Sequence, residues 1–174
     1  MPAGDAVQAL IDKQAITEQL VTYCRAADRI DVPLLRSVFH PDSSADYGAM
    51  YQGTGPGFAD FLEEAHRGLV AHSHHIGNVL ITLDGDTASS ESYVSVRLRG
   101  RSGDRHTDVL AYGRYLDRWE RRDDDVWRIA YRRYLHTFDE TRSIDAVLYE
   151  TAGSRDHDDP SYDHLRPRGR RCER

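Results

Sequence analysis

The chain has 174 residues, 39% hydrophobic and 30% charged, with a formal net charge of −6. That length supports one domain with a real core, and the acidic balance argues against nucleic acid as the main partner. No apolar run approaches the ~20 residues that cross a bilayer, so no membrane partner is expected.

The N-terminus, with Asp5 and no basic, apolar leader, does not read as a secretory signal. Cys24 falls in a helical pattern and Cys172 in a polar stretch, which makes a poor disulfide pair. Together these features predict a cytoplasmic protein.

Residues 6–28 read as a helix with Asp5 as its N-cap. Asp31-Val32-Pro33 restarts a short helix, with Asp31 as N-cap and Pro33 in the first turn, where no N–H is missed. His40-Pro41-Asp42 is expected to stop it. A short strand follows from Ala45 to Tyr47, with Tyr51-Gln52-Gly53 as its return. Gly53-Thr54-Gly55-Pro56-Gly57 lacks the Lys-Ser/Thr of a phosphate-cradling loop. It reads as the entry to a third helix carrying Phe58, Phe61, Leu62, Ala65 and Leu69.

Beyond that helix the apolar period changes from 3.6 to 2. Strands are predicted at Ile76–Leu83, Ala88–Arg99, Thr107–Arg121 and Val126–Phe138, with Asp84-Gly85-Asp86 as a hairpin turn. Helices followed by long antiparallel strands define an α+β layout in which a curved sheet can enclose a pocket against the helices. Residues 1–150 are expected to form this single domain, and residues 151–174 a polar, flexible tail. The basic cluster Arg166, Arg168, Arg170, Arg171 and Arg174 lies in that tail and reads as solvated.

Ile16, Leu20, Cys24 and Asp28 recur every fourth residue and share one helix face. Three of them suit burial, whereas a buried Asp is costly unless paired. His72-Ser73-His74-His75 at the mouth of an apolar strand offers imidazole partners, and an inward Asp meeting an inward His outlines a general-base dyad. The alternative is that Asp28 ends the helix and turns to solvent. Strict alternation sets His72, His74, Ile76 and Asn78 on one strand face and His75, Gly77 and Val79 on the other. Only one of His74 and His75 can then face the pocket unless a bulge intervenes; His74 is favoured. A metal reading of His72 and His74 with Asp28 uses the donor types of zinc or iron sites. No Glu or Cys stands at a supporting spacing, so neither metal nor cofactor is expected.

The order of elements, with these words, resembles the nuclear transport factor 2-like superfamily. The words are Tyr23-Cys24-Arg25-Ala26-Ala27-Asp28, Phe39-His40-Pro41-Asp42, Asp46-Tyr47, His74-His75-Ile76-Gly77-Asn78, and Trp119 to Ile129 with Val126-Trp127 near its end. It is most similar to the SnoaL-like branch that holds scytalone dehydratase, bile-acid 7α-dehydratase and hexachlorocyclohexane dehydrochlorinase. The likeness spans roughly residues 8 to 140. It implies a cone-shaped, curved antiparallel sheet wrapped around N-terminal helices. It also implies that Asp28 orients the catalytic His74, and that Tyr23 stands where a Tyr or Lys reaches the substrate. Tyr47 falls where scytalone dehydratase has a tyrosine that handles the leaving oxygen, and Arg132 where the other two members carry an arginine. Tyr23 and Tyr47 could equally be core residues with the hydroxyl at the rim, and Arg132 could serve a structural ion pair while its neighbour Arg133 faces solvent. Scytalone dehydratase has a second histidine on the next strand, and Ala88–Arg99 contains none. That argues against scytalone itself as substrate and leaves the second proton-handling group unassigned.

The expected activity is cofactor-independent dehydration, or a related elimination or isomerisation, of a hydrophobic cyclic metabolite such as a polyketide or steroid. A homo-oligomer, dimer or trimer, is implied by the resemblance. The rival readings are a polyketide cyclase or epoxide hydrolase, and a non-catalytic accessory subunit or ligand-binding module, because this scaffold hosts many chemistries.

Overall fold

The computed structural model describes residues 3–103, 105–145 and 152–166. Three helices, α1 (Ala3–Arg29), α2 (Val32–Ser37) and α3 (Gly55–Arg67), accompany six strands. These are β1 (Phe39–Asp46), β2 (Gln52–Thr54), β3 (Ala71–Asp84), β4 (Thr87–Ser102), β5 (Arg105–Arg121) and β6 (Trp127–Ile144), followed by a short α4 (Pro160–His164). The strands form one curved, unclosed sheet in the order β2-β1-β6-β5-β4-β3. Of the described pairings, β1–β6 is parallel and the rest antiparallel. This is the α+β layout expected from the change of period, in the cone form that the resemblance implies.

The apolar stripe of α1 packs as predicted. Ile16, Leu20, Tyr23, Cys24 and Ala27 are buried, and the helix ends against the first residues of β3. Its last turn closes through Asp31 N–H to Ala26 O at 2.9 Å, with Ile30 in the left-handed region at φ 51°. A β-branched residue is strained there, and the tight turn lets α2 start at once. Asp31 caps α2 by accepting from Leu34 N–H at 3.0 Å. The base of the cone is filled by Trp119, Trp127 and Ile129. Trp127 Nε1 donates to Asp12 on α1 at 3.1 Å, and Trp119 Nε1 to Ser90 at 2.8 Å, so both buried indoles have partners.

Three local expectations change. The second helix stops as expected, at Ser37, but the strand starts at Phe39 rather than Ala45. His40-Pro41-Asp42 therefore lies inside β1, where a register shift between Phe39 and Ser44 against β6 accommodates the proline. In β3 the strict alternation fails beyond Ile76. A register shift between Ile76 and Val79 puts both of these residues against the core and leaves Asn78 exposed, as a bulge does. Within residues 152–166, the expected polar tail carries α4 and lies against the end of α1. There Tyr162 Oη donates to Asp31 at 2.7 Å, Arg25 to Ser161 at 2.9 Å, and Arg29 sits 3.3 Å from Asp159. Polar contacts hold this segment, and hydropathy does not register them. Cys172 and the arginines from 168 onward lie outside the described residues.

Candidate active site

The last turn of α1 delivers Asp28 to the first residues of β3. Its carboxylate accepts from His74 Nδ1 at 2.7 Å and from the His74 backbone N–H at 3.0 and 3.1 Å. Two donors from one residue fix both the carboxylate and the ring. The side chains are 5% exposed for His74 and 16% for Asp28. With Nδ1–H given to Asp28, the neutral ring carries its lone pair on Nε2, and His74 lines the internal cavity. His75 is exposed; the inward histidine is His74.

The cavity holds about 230 Å³. Its walls are mostly apolar: Phe58, Phe61, Leu62 and Leu69 come from α3 and the residues after it, Val96, Leu98 and Tyr115 from the sheet, and Tyr134 stands towards its mouth. A more open hollow of about 580 Å³ adjoins it, sharing Tyr47, Met50, Leu98, Ala111 and Tyr134. Gly113 makes room for the Tyr134 ring, since a Cβ there would lie 2.4 Å from its Cε2.

Tyr23 from α1 and Tyr47 from the end of β1 meet in the cavity wall, with their hydroxyls 2.9 Å apart. Tyr47 stacks on Phe58 with centroids 3.9 Å apart. Burial pushes both hydroxyls well above the ordinary tyrosine value, as it does Tyr115, so all three stay protonated donors. The bond between them uses one of the pair's two protons, and Tyr115 and Arg132 also lie against these hydroxyls.

Arg132 is not brought to the cavity. It is fully buried and bound by Asp117 through Nε–Oδ1 at 2.7 Å and Nη2–Oδ2 at 2.8 Å. Its guanidinium carbon lies 4.2 Å from the Tyr23 ring centroid and 4.0 Å from that of Tyr115. The side chain therefore acts as a cationic prop behind the tyrosines, while Arg133 is exposed beside Asp46. This is the ion-pair alternative.

One residue that the sequence reading passed over joins the site. His66, in the last turn of α3, lines the cavity with its ring 5.8 Å from that of His74 and 4.5 Å from that of His72. Burial first, then His72 and His74, pull its imidazole down to about 3. The available signal was its spacing, since His66 follows Phe58 and Leu62 at intervals of four on an otherwise apolar face. His72 is committed elsewhere, with Nε2–H donating to Ala27 O at 2.9 Å. Among the described residues no three His, Cys, Asp or Glu side chains are grouped to hold a metal ion, and no helix is long and apolar enough to cross a membrane.

A helix-covered sheet cone with an apolar hollow between helices and sheet is the architecture of the nuclear transport factor 2-like proteins. The SnoaL-like domain matches residues 8–133, and the chain belongs to that family. An uncharacterised protein of Mycobacterium tuberculosis H37Rv is 33% identical over 129 residues, covering 73% of this chain and 86% of that one. Among solved structures, a putative scytalone dehydratase from Novosphingobium aromaticivorans superimposes with a TM-score of 0.69 at 22% identity, covering 82% of this chain and 95% of the other. Hexachlorocyclohexane dehydrochlorinase LinA-type3 from Novosphingobium barchaimii gives a TM-score of 0.70 at 16% identity, with 84% and 99% covered. At these identities the two structures establish a shared fold.

Proposed function

We propose that the protein is a cofactor-independent lyase that dehydrates a small, neutral, hydrophobic cyclic carbonyl compound by general-base catalysis. The observation that carries this reading is the 2.7 Å bond from His74 Nδ1 to Asp28, set at the wall of an apolar cavity. Asp28 holds the tautomer whose Nε2 can take a proton from carbon, and it stabilises the imidazolium that forms. The charge moves from the α-carbon into an enolate, whose oxygen meets a hydroxyl of the Tyr23–Tyr47 pair. The β-carbon–oxygen bond then breaks and the imidazolium returns its proton to the departing hydroxide. Water leaves and His74 is neutral again, so one imidazole serves both proton transfers.

The cavity is smaller than the roughly 300–1,000 Å³ of sites for drug-sized ligands, which favours one or two fused rings. A steroid would extend into the adjoining open hollow. Among the described residues, those lining the cavity include no Asp or Glu, which favours elimination over an acid-driven epoxide opening. A cytoplasmic homo-oligomer belongs to the same proposal. Supporting an oligomer, the outer side of α1 exposes Val7, Leu10, Ile11 and Val21.

The test is hydrogen–deuterium exchange at the α-carbon of 2-tetralone in D₂O, followed by proton NMR. This bicyclic ketone has no leaving group, so the assay isolates the first step. The wild-type protein should exchange it faster than His74→Ala by about 10²–10⁴-fold. Equal rates would reject the dyad as the base.

A further inference from the structure

His74 and His66 face one cavity from opposite layers, the first from the sheet edge and the second from α3. They differ in what holds them. His74 has a carboxylate on Nδ1. His66 has none, and its Nδ1 is buried without a hydrogen-bond partner, which leaves Nε2 as the nitrogen that can meet a ligand. A buried N–H without an acceptor is costlier than a buried lone pair, so the proton belongs on Nε2. His72 shows the same pattern, with Nε2–H given to Ala27 and Nδ1 unpartnered. The backbone of His66 is pinned as well, because Arg155 donates to its carbonyl at 2.9 Å.

We infer that His66 is a second catalytic residue, donating Nε2–H to the β-oxygen that leaves while His74 takes the proton from the neighbouring carbon. The inference rests on the proposed dehydration and deepens it. The substrate class is a β-hydroxyketone whose hydroxyl lies towards α3 and whose carbonyl lies towards the Tyr23–Tyr47 pair. The bond His66 makes strengthens as the carbon–oxygen bond breaks. It assists elimination and has no part in exchange at the α-carbon. His66 stays neutral throughout; the proton that completes water comes from His74.

The test uses two bicyclic probes on the full chain. 4-Hydroxy-2-tetralone loses water to give 2-naphthol, read by fluorescence, whereas 2-tetralone reports α-exchange alone. His66→Phe should lower dehydration by about 10²-fold more than it lowers exchange, the scale of one lost oxyanion-type donor. His66→Gln, which restores an N–H, should recover part of the difference. Nitrogen-15 NMR of histidine-labelled wild-type protein should show the His66 proton on Nε2. An equal loss of both reactions in His66→Phe, no loss in either, or a proton on Nδ1 would overturn the inference. Exchange without dehydration in the wild type would overturn it while leaving the dyad in place. Absence of both reactions in the wild type would instead remove the proposed function, and this inference with it.

Discussion

Asp28→Asn separates the tautomer argument from mere packing. The carboxylate accepts two N–H groups, from the His74 ring at 2.7 Å and from its backbone at 3.0 Å. An amide of the same shape has one oxygen and one NH₂. Oδ1 accepts from both the ring and the backbone N–H, at 2.7 and 3.0 Å, while Oδ2 meets the backbone N–H alone at 3.1 Å. With the NH₂ at the Oδ1 place the ring must accept and carry its proton on Nε2, so the nitrogen turned to the cavity has no lone pair. With the oxygen there the tautomer survives, but the neutral amide no longer stabilises the imidazolium. Turnover should fall by about 10²–10⁴-fold, the usual contribution of a placed general base. Stability should fall by only about 1–3 kcal/mol, the worth of one hydrogen bond to a charged group, or roughly 2–4 °C of melting temperature per kcal/mol at this size. α-Exchange of 2-tetralone, thermal melts and nitrogen-15 histidine shifts measure the three quantities. A folded variant that exchanges within threefold of wild type refutes the reasoning.

Removing Arg132 strands Asp117, since both are fully buried; Arg132→Met should cost about 3–5 kcal/mol in urea unfolding, and Arg132→Met with Asp117→Leu should recover most of it. His66 titrates near 6.5 when unfolded and about 3 when folded. Its contribution is therefore complete above pH 6.5 and is lost as pH falls towards 3, at about 1.4 kcal/mol per pH unit. Wild type should lose about 2 kcal/mol from this group between pH 6.5 and 5, and His66→Phe should show a shallower decline in urea midpoints; parallel declines would count against the burial argument. Gly113→Ala must move Tyr134 or strand β5, since the new Cβ would also lie 2.6 Å from Leu135 O; a loss of about 1–3 kcal/mol and weaker binding of 2-naphthol are expected. Tyr162→Phe should lower stability by about 1 kcal/mol by taking the partner from the buried Asp31 carboxylate, whereas a free tail would leave it unchanged.

The dyad was legible because Asp28 breaks two rules at once. It continues an apolar stripe, and it puts a negative charge at a helix C-terminus, where the dipole disfavours it. A residue placed against local preference is a pointer to function. His66 obeyed the same spacing logic on α3 but breaks no charge rule, so it was passed over. Alternation, which holds up to Ile76, allowed only one of His74 and His75 to face the pocket, and the resemblance pointed to His74. The bulge beyond it has no signature in hydropathy, because Gly77-Asn78 reads equally well as plain strand. Arg132 illustrates the opposite limit. The resemblance placed it correctly along β6, but whether it reached a ligand or Asp117 depended on cross-strand register, which pairs Asp117 with Arg132 directly.

The same bonds that prepare the base also close the fold. β3 is the outer strand of the sheet, and an edge strand leaves backbone donors without partners. The Asp28 carboxylate takes one of them, the N–H of His74, while the ring of His72 donates to the Ala27 carbonyl at the end of α1. Helix end and sheet edge are therefore clamped by two reciprocal side-chain-to-backbone bonds, one from each element. This explains how a strained turn at Ile30 is tolerated next to the site. It also means that the carboxylate cannot swing to solvent without releasing a strand amide, so its orientation towards His74 is enforced by backbone bonding as well as by charge. The dyad is rigid before any ligand arrives, as a base that must reach carbon requires.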